Sequence, residues 1–174
     1  MTSLGSYGTA TVLECDTLIT NNLRNSNNGL VTSVIGQLKL PSNEPVTNVL
    51  SPIKTWILDP SSSNAGISID NTTGFLSVSK TGVYKVDFTC GFSSSSMSES
   101  IIVLFKTAFG GSAVELMREN YIDSSNSLRQ LSMSLSYLLT INDIRDTFYI
   151  DAYVNGSSPV ATASSTFIQI VKVL

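Results

Sequence analysis

The sequence predicts an all-β protein built as a sandwich or barrel, and three observations carry this. No stretch of ten or more residues repeats its apolar positions at the 3.6-residue helical period. Several stretches alternate apolar and polar residues with a period of two. Clusters of Ser, Gly, Asn and Pro separate these stretches at short intervals, as turns do in sandwiches. A chain of 174 residues suffices for one domain, or one domain with a short arm. At that size roughly 70% of the unfolded surface is buried, so disulfides are not needed.

Residues 1–30 are expected to form an N-terminal arm or stalk junction, and residues 31–174 the head. The arm holds two short alternating pieces, at 10–14 and 17–20, and ends in the Asn/Gly-rich stretch 21–29, a turn or linker by its chemistry. Strands this short cannot bury a core alone. The arm is therefore either a loose leader or a β-rich element of an oligomer. In the head, strands are expected at 31–40, 54–58, 66–70, 75–78, 82–92, 100–108, 113–119, 128–139, 147–154 and 165–174. Residues 140–146 read as a connecting turn, with room for one helical turn.

The period of two assigns faces. From Leu131 to Tyr137 the odd positions are apolar and the even ones Ser, which gives one buried and one wet face. Tyr84, Val86, Phe88 and Cys90 point inward, so Cys90 reads as a small core residue. Residues 101–105, Ile-Ile-Val-Leu-Phe, are apolar on both faces and call for a second covering. On 147–154 the core face is Phe148, Ile150, Ala152 and Val154, which leaves Tyr149 and Tyr153 opposite, flanking Asp151. Aromatics on a non-core face point to an interface. Tyr149, Tyr153, Ile102 and Leu104 are the candidate subunit contacts; cover by a loop of the same chain is the alternative for the tyrosines.

Composition excludes several functions. Net charge is −3 and the isoelectric point near 4.8. The ten basic residues are scattered, so nucleic acid is not an expected partner. No apolar run approaches the ~20 residues of a membrane span, so membrane insertion is not expected. The N-terminus lacks the basic and apolar regions of a signal peptide. Cys15 and Cys90 are too few for a disulfide framework. The chain has no histidine, which removes Ser-His and Cys-His nucleophile systems and most zinc sites. Charged residues are only 13%, and Ser, Thr and Asn supply about a third of the chain.

The short motifs read structurally. Gly110-Gly111 lacks the Lys-Ser/Thr of a phosphate loop and fits a hairpin turn. Ser93-Ser94-Ser95-Ser96 reads as a flexible surface loop without a base nearby. Asp143, Asp146 and Asp151 match no calcium loop and read as solvated carboxylates. Asn71-Thr72-Thr73 and Asn155-Gly156-Ser157 read as turns. Trp56 is the candidate sugar platform of a carbohydrate-binding module, although its strand-like setting favours core packing. No cofactor, metal or catalytic residue is assigned.

Four stretches in order resemble the trimeric jelly roll of the tumour necrosis factor and complement globular-head superfamily. They are Thr73-Gly74-Phe75 through Thr81-Gly82-Val83-Tyr84; Val103-Leu104-Phe105-Lys106 followed by Gly110-Gly111; Leu135 to Tyr153 with Asn142-Asp143 before Thr147-Phe148-Tyr149-Ile150; and the terminal Ser165-Thr166-Phe167-Ile168-Gln169-Ile170. Two positions depart from the pattern, Gln169 and Asn142, where the family carries glycine. The resemblance covers about residues 50–174. It implies an all-β jelly-roll sandwich of eight to ten antiparallel strands, assembled as a homotrimer. Similar heads occur on viral and phage fibres. The expected function is thus a non-enzymatic virion or particle-surface attachment protein, whose partners are its own copies, other capsid or particle proteins, or a host-surface protein or glycan. The alternative is a carbohydrate-binding module or a protein-binding head of the tumour necrosis factor or complement kind. The expected location is a virion or particle surface, after synthesis in the cytosol, or alternatively outside the cell.

Overall fold

The computed structural model describes residues 35–60, 62, 66–125 and 127–173. The expected arm at 1–30, and Cys15 within it, lie outside the described residues. Among the described residues there are twelve strands and no helix. They are β1 (Ile35–Lys39), β2 (Glu44–Pro45), β3 (Ser51–Pro52), β4 (Ile57–Leu58), β5 (Ile67–Asp70), β6 (Phe75–Val78), β7 (Gly82–Thr107), β8 (Ala113–Ile122), β9 (Leu128–Ile141), β10 (Thr147–Gly156), β11 (Val160–Ala161) and β12 (Phe167–Lys172).

The 26-residue β7 is shared by both layers of a jelly-roll sandwich. Its first half pairs antiparallel with β12 on one side and β9 on the other. Its second half pairs with β10 and β8. β1 and β4 extend the first layer beyond β12, and β6 and β5 extend the second beyond β10. The strands expected at 82–92 and 100–108 are therefore one strand, and the serine run between them is not a flexible loop. Pairing with β9 shifts register between Ser93 and Met97, and pairing with β10 shifts between Asn155 and Gly156. Such shifts bend a strand and leave carbonyls outside the ladder. The buried Ser94 hydroxyl lies 2.7 Å from both the Ser96 and the Ser157 carbonyl oxygens, which also accept the Ser157 and Ser95 N–H groups, and so adds to the backbone bonds that hold this bend. Gly156 is required at this corner, because a Cβ there would lie 2.3 Å from the Ser96 carbonyl oxygen.

The inner faces follow the expected alternation. Tyr84, Val86, Phe88, Cys90 and Phe92 are buried, as are Met133, Leu135, Leu139 and Ile141 across from them and Phe148, Ile150, Ala152 and Val154 in the other layer. Each fully buried large side chain contributes roughly 1.5–3 kcal/mol. Trp56 is 1% exposed, meets Phe88 edge to face with centroids 6.2 Å apart, and donates its indole N–H to the Ile53 carbonyl at 2.9 Å. It belongs to the core and offers no platform to a sugar. Burial pushes the Cys90 thiol up to about 12, so it is inert as a nucleophile at neutral pH.

Three two-residue strands, β2, β3 and β11, have no counterpart among the expected elements. They are held by partners distant in sequence, β11 by β2 and β7, and β3 by β10. The expected 54–58 strand shortens to β4, because Trp56 leaves the ladder to enter the core.

Candidate functional site

Two hairpin ends converge at one end of the sandwich. The β7–β8 turn carries Phe109, and the β9–β10 turn spans Asn142 to Asp146. Asp146, 3% exposed, joins them. Its Oδ1 accepts the Phe109 N–H at 2.9 Å, its Oδ2 accepts the N–H groups of Asn142 and Asp143 at 3.2 and 3.4 Å, and Lys106 Nζ lies 3.0 Å from Oδ2. Burial alone would raise this carboxyl. The Phe109 N–H, the Lys106 ammonium and the two turn N–H groups outweigh it and hold the group below the ordinary carboxylate range. Removing the Asp146 side chain would orphan donors from both turns at once.

That pinned base supports an exposed cluster. Phe109 is 59% exposed and Ile144 55%. The Arg145 guanidinium lies 3.6 Å from the Phe109 ring centroid. Asp143 fixes the same guanidinium through two bonds, at 2.9 and 2.6 Å, and Arg145 in turn holds the Asp143 carboxyl near 2. The result is an aromatic ring, an aliphatic side chain and a cation in set positions above rigid turns. Exposed Phe and Arg ordered in advance are the residue types that anchor protein interfaces.

The sequence-predicted candidates lie elsewhere, on β7 and β10. Ile102 and Leu104 are fully buried on the inner face, opposite Ala152 and Ile150, and face the protomer's own core. The outward residues of that strand are Ile101, Val103 and Phe105. Tyr149 and Tyr153 do face outward. The Tyr149 ring is already covered, however, stacked on Phe75 at 4.5 Å and on Phe105 at 5.2 Å, with 9% exposure left. Neighbouring strands supply this cover, rather than a loop. Tyr153 stays half-buried beside Ile101.

Two of the three aspartates expected to be solvated are buried. Asp146 is the turn hub just described. Asp151, 8% exposed, lies between Val103 on β7 and Pro52 on β3, and among the described residues its Oδ1 has no hydrogen-bond partner. Burial pushes its carboxyl up to about 6. Only Asp143 keeps substantial exposure. Local spacing hid the Asp146 hub, since its partners come from two turns 37 residues apart. The one legible signal was Gly110-Gly111 marking a hairpin tip beside an apolar Phe109. Among the described residues no group of three or more His, Cys, Asp or Glu side chains converges in metal-binding geometry.

Comparison with solved structures gives the architecture its relatives. An Eiger tumour necrosis factor from S. frugiperda superposes with a TM-score of 0.68 at 18% identity, covering 82% of this chain and 93% of that one. Murine APRIL at pH 5.0 gives 0.63 at 14% identity, covering 82% and 100%. The fold is the tumour-necrosis-factor-like jelly roll. The globular domain of a zebrafish complement 1qA protein shares it, with a TM-score of 0.56 at 17% identity over 80% of this chain and 97% of that one. No protein-family model matches the sequence, and no curated protein matches it.

Proposed function

We propose that the chain is a non-enzymatic protein-binding head that works as a homotrimer and meets its partner through the Phe109–Arg145 end. The observation that carries this reading is the exposed Phe109 ring, held in place by Arg145 from above and by Asp146 through its own N–H. An ordered exposed aromatic loses little conformational freedom on binding. The tumour-necrosis-factor-like fold supports self-association and protein recognition as the class of function. Two experiments test the two halves of the proposal. Sedimentation tests assembly. For recognition, the immobilised protein is offered to an array of cell-surface ectodomains alongside Phe109→Ser. A partner captured by the native chain and lost by the variant supports the reading. Partners captured equally by both overturn the assignment of this end.

The narrower form of the proposal places the head on a virion or particle surface. The feature that favours it is the chain's low content of charged residues, 13%, with Thr89, Ser134 and Ser136 among the outward residues of the first layer. Detection of the chain in purified particles supports that placement, and its exclusion from them removes it.

A further inference from the structure

A pocket of about 290 Å³ opens on the outer face of the first layer, where β7 passes between β9 and the loop joining β11 to β12. Its floor is Gly91. Its walls are Gln130 and Ser132 from β9, and Thr162, Ser164 and Ser165 from the loop. The missing side chain at Gly91 lets the loop fold down onto β7, since a Cβ there would stand 1.9 Å from Ser165 Oγ and 2.7 Å from Thr162 Oγ1. The loop is fastened in that position. The Thr162 N–H and hydroxyl both donate to the Gly91 carbonyl, at 2.7 and 3.1 Å, the Gly91 N–H donates to Thr166 Oγ1 at 3.2 Å, and Thr162 shares a further hydrogen bond with Ser165.

The chemistry of the lining narrows the ligand. No residue around the pocket is charged, so an ionic ligand would lose hydration without gaining a counter-charge. The Ser132 and Ser164 hydroxyls and the Gln130 amide are exposed and make no hydrogen bond to any described residue, so donors and acceptors stand ready together. The volume lies at the small end of ligand sites. A neutral ring that carries several hydroxyls matches this set. We propose that the pocket binds a single neutral saccharide unit. This goes beyond the protein-binding reading and uses a different part of the molecule from Phe109.

The test titrates the ¹⁵N-labelled full chain with glucose, galactose, mannose, N-acetylglucosamine, fucose and xylose, with glycerol as a control for general hydroxyl effects. The expected result is saturable, millimolar binding of at least one sugar, with amide shifts confined to Gly91, Gln130–Ser132 and Thr162–Ser165 and none with glycerol. Each neutral hydrogen bond removed weakens binding about fivefold, so Ser132→Ala with Ser164→Ala weakens it at least tenfold. Both positions are exposed, so the double variant keeps its fold, and an unchanged amide spectrum elsewhere verifies this. Absence of saturable shifts for all six sugars at tens of millimolar overturns the inference. So do equal shifts with glycerol, or unchanged binding by the double variant. None of these outcomes bears on capture of a protein partner by Phe109.

Discussion

The two halves of β7 are alike on the inside and opposite on the outside. Inward, Phe88 in the first half and Ile102 in the second are both buried in one continuous core. Outward, the first half carries Lys85, Asp87 and Thr89, which form a polar ladder. Ser136 donates to Asp87 at 2.6 Å, Lys85 lies 2.9 Å from the same carboxylate, and Thr89 shares a hydrogen bond with Ser134 at 3.0 Å. The second half carries Ile101, Val103 and Phe105, beside the stacked Tyr149 and the buried Asp151. One strand thus separates two demands: core burial sets the inner residues, and each outer face is free to be polar and self-satisfied, or apolar.

The carboxylates of the two outer faces show the consequence. Burial would raise Asp87, but Ser136 and Lys85 overcome it and hold the group below its ordinary value. Asp151 is buried, its Oδ1 has no hydrogen-bond partner among the described residues, and burial pushes it up to about 6. Their contributions to stability therefore run in opposite directions with pH.

The largest expected effect tests the likeness of the inner faces. Phe88→Ala should cost about 3–5 kcal/mol and Ile102→Ala about 2–5 kcal/mol, measured by urea unfolding. A loss at only one of them would mean that the halves do not share a core. On the outer faces the expected costs diverge. Tyr149→Ala removes a buried ring and two stacking contacts and should cost about 2–4 kcal/mol, whereas Thr89→Ala should stay below about 1 kcal/mol. Equal costs would erase the contrast.

The pH test is next in size. The folded Asp151 carboxyl titrates above its unfolded value of 3.8. Its favourable contribution is thus complete below about pH 4, falls as pH rises to about 6, and is then lost. The difference amounts to at most about 3 kcal/mol. Asp151→Asn should flatten unfolding free energy between pH 4 and 6 and raise it at pH 7. Asp87 acts the other way, supporting the fold above about pH 4 and losing that support as pH falls below it. Ser136→Ala should cost only about 0.5–1.5 kcal/mol, and should also raise the Asp87 pKa in an NMR titration.

The inner faces were legible because burial imposes a period of two that survives in the residue order, as at Leu131-Ser132-Met133-Ser134-Leu135. What joins elements distant in sequence was not. The serine run has no apolar–polar alternation to reveal a strand, and its backbone pairs with Ser157, more than sixty residues away. Asp146 and Asp151 look like any surface aspartate, since their burial depends on turns and strands brought together by the fold. Apolarity on both faces of 101–105 was visible, but Ile102 and Leu104 prove to be its inner members, and Tyr149 finds its cover in Phe75 on β6, far earlier in the chain.

Whether the head assembles decides the account most directly. Sedimentation equilibrium at micromolar concentration and neutral pH should return a single species at three times the chain mass of 18.6 kDa. A single species at 18.6 kDa, unchanged on concentration, would contradict it.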